Sequence, residues 1–126
     1  MKPKVDIRPD GVALIHPSGR LDLLTAAELR QQLQQRVAEG NRLLVVDLGD
    51  VSFTDSSGLG MLISGLKVAR LAGGDLRLAR ANDQVKLILK LTSLDRVLRT
   101  YPTIEEALEG RERVVNGSPD IIGQKQ

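Results

Sequence analysis

The chain has 126 residues, 41% hydrophobic and 27% charged, and its 18 basic and 16 acidic side chains leave a net charge of +2. That is enough chain for one domain with a real core, but two aromatic residues, Phe53 and Tyr101, and so slight a basic excess do not make a nucleic-acid surface. Without cysteine, a signal-like N-terminus or an apolar run near the ~18 residues of a membrane span, the chain is expected to be soluble and cytoplasmic, without disulfide or thiol chemistry.

In chain order, residues 5–8 and 11–16 alternate apolar and polar around Pro9-Asp10-Gly11, which predicts a hairpin. Pro17-Ser18-Gly19 reads as its end. His16, the single histidine, has no evident carboxylate partner and reads as structural. Thr25-Ala26-Ala27-Glu28 has capping-box spacing with Thr25 as the cap, and Ala26, Leu29, Leu33 and Val37 then repeat helically as far as Gly40. The unbroken apolar run 43–46 predicts a central strand covered on both faces and paired in parallel through a right-handed crossover.

A polar break follows, and helical spacing resumes over 57–72. Leu59, Leu62, Leu66 and Ala69 form one stripe; Met61, Gly65, Val68 and Ala72 form a second. Most of the second stripe is expected to be covered by a neighbour, with Met61 at least partly exposed. Gly73-Gly74 stops this helix, 75–80 predicts a further strand, and Asn82 or Asp83 caps a helix that buries Val85, Ile88 and Leu89. A short edge strand near 99–101 and a last helix opening at Thr103-Ile104-Glu105-Glu106 complete the pattern. Residues 1–110 are thus expected to form one α/β domain, a mixed four- to five-stranded sheet with about four helices in the order β-β-α-β-α-β-α-(β)-α. Residues 111–126 read as a mobile tail.

The chemistry concentrates at Asp55-Ser56-Ser57-Gly58, where a polar loop feeds a helix. Any of Asp55, Ser56 and Ser57 can be the N-cap, leaving another hydroxyl exposed. Ser56 lacks a Gly-x-Ser-x-Gly elbow and a placed base, which argues against a serine hydrolase; Gly58-Leu59-Gly60 lacks the Walker lysine, which argues against a phosphate cradle. Asp22 either organises a turn or faces the serine loop. Asp47, Asp50 and Asp55 at strand ends suggest a hard-metal site only as a minor reading, and a small nucleotide hydrolase built on them is a distant one. No cofactor is expected.

Gly19-Arg20-Leu21-Asp22 followed by Thr25, the strand Val45-Val46-Asp47-Leu48, and Val51-Ser52-Phe53-Thr54-Asp55-Ser56-Ser57-Gly58-Leu59-Gly60 closely resemble the STAS domain, and within it the bacterial anti-sigma factor antagonists. The resemblance spans roughly residues 4 to 109. It implies a non-enzymatic partner switch. Unmodified, the domain binds an anti-sigma factor that is also a serine kinase, and a sigma factor is released. Phosphorylation at Ser56 blocks that binding, and a serine phosphatase reverses it. Asp22 matches a position near the serine that supports partner recognition or phosphorylation, and Thr25, Asp55, Ser57, Gly58 and Met61 are expected to share the partner surface. The alternative is a STAS interaction subunit of a stress-signalling scaffold or a transporter-associated complex.

Overall fold

The computed structural model describes residues 3–109, so the expected tail at 111–126 lies outside the described residues. Strands β1 (Lys4–Ile7) and β2 (Ala13–His16) form the hairpin, antiparallel, with Val5 opposite Ile15. Strand β3 (Ser18–Leu21) leads into α1 (Leu23–Ala38), and β4 (Leu43–Asp47) follows. Strand β5 (Asp50–Thr54) leads into α2 (Ser56–Leu71), then come β6 (Asp75–Ala79) and α3 (Asp83–Leu91). A 3-10 turn at Leu94–Arg96, β7 (Thr100–Tyr101) and a helix at residues 104–109, α4, complete the described chain.

The main sheet has the order β1-β2-β4-β6-β7, with every pair after the hairpin parallel. Strand β4 is central and buried along its whole length, which is why its apolar run does not alternate. Leu44 and Val46 pack with Leu76, Leu78 and Ile15 under α1 and α2, and Leu43 and Val45 pack with Val12, Ala79 and Ala107 of α4 on the opposite face.

Two features differ from the sequence expectation. Ser18–Leu21 and Asp50–Thr54 are not breaks in the chain but two parallel strands, paired as a separate two-stranded sheet. Each is short and one-sided, and the ladder slips between Gly19 and Arg20, where Gly19 sits at a φ of +78° that its missing Cβ permits. Ser18–Leu21 carries no alternation, and Asp50–Thr54, though it alternates, is too short for pattern alone to set it apart from a loop. Met61, in turn, is only 4% exposed and belongs to the main core. Helix α1 covers the second stripe of α2, approaching so closely that a Cβ on Gly65 would lie 2.7 Å from Leu33 Cδ1. Met61 is therefore packing, not partner surface, while Val68 stays partly exposed.

Candidate functional site

The two-stranded sheet sets up the site. Because β3 and β5 run parallel with Leu21 opposite Thr54, their next residues, Asp22 and Asp55, turn side by side into α1 and α2. Asp55 N–H donates to the Leu21 carbonyl across the junction at 3.4 Å.

Each aspartate is the N-cap of its helix, in extended backbone geometry. Asp22 Oδ1 accepts from Leu24 N at 3.1 Å and Thr25 N at 3.3 Å, while Thr25 Oγ1 accepts from Asp22 N at 2.9 Å. The capping box is thus Asp22 with Thr25, one turn earlier than the Thr25–Glu28 box expected from spacing. A short polar side chain three residues earlier competed for the cap and won. The Thr25 hydroxyl also donates to the Arg20 carbonyl at 2.6 Å. The Thr25 amide, first among the bonds that stabilise the charged form, holds the Asp22 carboxyl below its usual range, against some desolvation. At the second junction, Asp55 Oδ1 accepts from Ser57 N at 2.9 Å and Gly58 N at 3.1 Å. That settles the choice among Asp55, Ser56 and Ser57 as cap in favour of Asp55.

Ser56 is then the first helical residue, exposed, and among the described residues its hydroxyl has no hydrogen-bond partner. Ser57 is half-buried. Thr54 is 1% exposed, with its hydroxyl 3.3 Å from the Leu21 carbonyl. Gly58 is there for space: a Cβ would lie 2.5 Å from the Leu21 oxygen and collide with Thr54 Oγ1. The two helix starts close on each other only because that position is bare.

Sequence reasoning missed three elements of the surroundings. Leu23 and Leu24, the first residues of α1, are 73% and 81% exposed. Leu24 falls opposite the Ala26-Leu29-Leu33 stripe, a signal that was present in the spacing. The Arg20 guanidinium stacks 4.2 Å from the Phe53 ring centroid, across the β3–β5 ladder. Asn82 and Gln84, at the start of α3, bond the backbone of β5. The β3–β5 pairing sets Arg20 against Phe53 and the start of α1 beside that of α2, while α3 brings Asn82 and Gln84 to the other edge of β5.

The strand-end carboxylates do not converge. Asp47 is 4% exposed and takes Arg80 Nε at 2.8 Å and Nη2 at 2.9 Å, Gly49 N at 3.0 Å and His16 Nδ1 at 3.0 Å. Burial pushes the Asp47 carboxyl up, but the Arg80, Gly49 and His16 bonds outweigh it, and the group titrates below its usual range. His16 does have carboxylate partners, contrary to expectation: Asp6 Oδ2 lies 3.2 Å from its Nε2 on the other side of the ring. These contacts tie the end of β2 to β4 through Asp47 and to β1 through Asp6. Among the described residues no cluster of ligand-type side chains is placed to hold a metal ion, and no helix is long and apolar enough to cross a membrane.

Comparison with known proteins agrees with this geometry. Residues 4–107 match the model of the STAS domain. The anti-sigma-F factor antagonist RsfB of Mycobacterium tuberculosis is 31% identical over 108 residues, covering 80% of this chain and 82% of its own length. The crystal structure of TM1081 from Thermotoga maritima superposes with a TM-score of 0.81 at 30% identity, over 88% of this chain and 95% of that one. SpoIIAA, at 17% and 18% identity, shares the fold in its unphosphorylated and phosphorylated forms with TM-scores of 0.69 and 0.68, over 89% and 86% of this chain and 98% of each SpoIIAA chain. A mixed sheet under paired helices, two aspartate-capped junctions side by side, and a family match across nearly all the described residues place this chain in the STAS domain family, with anti-sigma factor antagonists among its relatives.

Proposed function

We propose that this protein is a cytoplasmic anti-sigma factor antagonist that acts by partner switching, with Ser56 as its phosphoryl acceptor. The observation that carries the reading is the state of the hydroxyls at the junction. Those of Thr25 and Thr54 are committed to backbone carbonyls and Ser57 is half-buried, whereas Ser56 is exposed and unbonded among the described residues. A serine so placed can enter another protein's active site without any rearrangement of its own helix.

Asp55, the adjacent carboxylate, is already engaged by two amides. Transfer therefore depends on a partner with serine kinase activity: the Ser56 oxygen forms a new bond to the γ-phosphorus of ATP, the β–γ bridging bond breaks, ADP leaves, and the proton passes to a base of the kinase. The same partner is the anti-sigma factor, and a serine phosphatase resets the modified form. Asp22, Asp55, Ser57 and Gly58 shape the recognition surface from beneath, with Thr25 locking Asp22. Leu23 and Leu24 supply apolar contact beside it.

A phosphate on Ser56 adds about −1.5 to −2 charges at a helix N-terminus, where the dipole favours them. The fold should persist, and the modification should act on the partner through bulk and charge. Capture from cells of the source organism with wild type, Ser56→Ala and Ser56→Asp tests the reading. A kinase-like partner held by the first two and released by the third is expected; equal retention by all three refutes the Ser56 switch.

A further inference from the structure

Strand β5 delivers Ser56, yet among the described residues it has a strand partner on one edge only. Its other edge meets the first turn of α3. The Gln84 side chain faces Thr54 there as a peptide group would: Thr54 N donates to Oε1 at 3.1 Å, and Nε2 donates to the Thr54 carbonyl at 3.0 Å. The reversed amide would set donor against donor and acceptor against acceptor, so the pairing has one orientation. Asn82 adds a second link, its Nδ2 3.2 Å from the carbonyls of both Val51 and Ser52, while its Oδ1 caps α3 through Val85 N at 2.9 Å.

Thr54 is the last residue before the Asp55 cap, and at 1% exposure its backbone has little water to fall back on. Its hydroxyl is held by Leu21 and its backbone by Gln84, so the strand end is tied to β3 on one side and to α3 on the other. We infer that Gln84 is a positioning residue for the Ser56 site: by completing the open edge of β5 it fixes the junction from which Ser56 is presented. The functional half of this rests on Ser56 being the acceptor; the geometric half does not.

Gln84→Met keeps the length of the side chain and removes both hydrogen bonds. Amide exchange at Thr54, Ser57 and Gly58 is expected to rise about tenfold in this variant, with Leu44 to Val46 unchanged. Gln84→Glu restores an acceptor at neutral pH. Measured against Gln84→Met at each pH, it should regain further protection as pH falls through the carboxylate range, because the protonated acid can again donate to Thr54. Phosphoryl transfer to Ser56 from labelled ATP in extract of source cells should slow several-fold in Gln84→Met. Unchanged exchange at Ser57 and Gly58, a uniform rise across the core, or transfer at the wild-type rate despite faster exchange would each overturn the inference. If wild type takes no label while exchange responds as expected, the acceptor assignment fails and the geometric role of Gln84 stands.

Discussion

Asp22 and Asp55 do the same local work at neighbouring junctions, each accepting from two amides at the start of its helix. Asp55→Ala removes the acceptor for two amides of α2 and is expected to cost about 1–2 kcal/mol in urea denaturation. Gly58→Ala should cost more, about 3 kcal/mol, because the obstructing Leu21 oxygen is backbone and cannot swing aside. Leu23→Ala with Leu24→Ala should leave the melting temperature within a few degrees of wild type, since both are exposed, while weakening partner capture. Asp47 behaves differently again. Its lowered pKa means that its pairing stabilises the fold above the ordinary carboxylate value of 3.8 and that this contribution is lost as pH falls through the folded value. Asp47→Asn should therefore lose about 2 kcal/mol at pH 7, discounted for the half-exposed Arg80, and the gap to wild type should close under acid.

At the scale of elements, the pairing of α1 with α2 explains why one helix reads as too apolar for a surface position. Gly65 lets Leu33 in, and Met61 fills the space beside it within the core. Met61→Ala is expected to cost about 3 kcal/mol and Met61→Leu less than about 1.5 kcal/mol, as for a buried side chain. A Met61 serving partner contact instead would show normal stability and weak capture in the alanine variant. The β3–β5 pair is the other informative element. Its strands contribute little to the main core, yet their parallel register is what sets two helix starts beside each other, with an exposed serine on one and two exposed leucines on the other.

At the scale of the whole molecule, a sheet buried on both faces carries the proposed site at its margin. Change at Ser56 is therefore decoupled from the core. Ser56→Asp should melt within a few degrees of wild type, because a negative charge at the first helical position suits the dipole, and calorimetry of both forms checks it. A collapse in melting temperature large enough to explain lost binding would mean that the charge acts on the fold and not on the partner.

Much of this was legible along the chain. The hairpin, the buried β4, the helical stripes, the Gly40 and Gly73-Gly74 stops and the Asp55-Ser56-Ser57-Gly58 junction each follow from a local property: periodicity, a missing Cβ, or a side chain that can cap. The family resemblance rested on residues 19–22, 25, 45–48 and 51–60, and so on identity along the chain more than on periodicity. Tertiary structure alone decided that 18–21 and 50–54 are strands, that Asp22 outcompetes Thr25 for the cap, that Met61 is buried and that His16 lies between two carboxylates. It also brought Gln84 to Thr54, 30 residues away in sequence. The reason is physical. Periodicity records which side of an element is apolar, whereas strand pairing, burial and hydrogen-bond partners depend on what another part of the chain places against it.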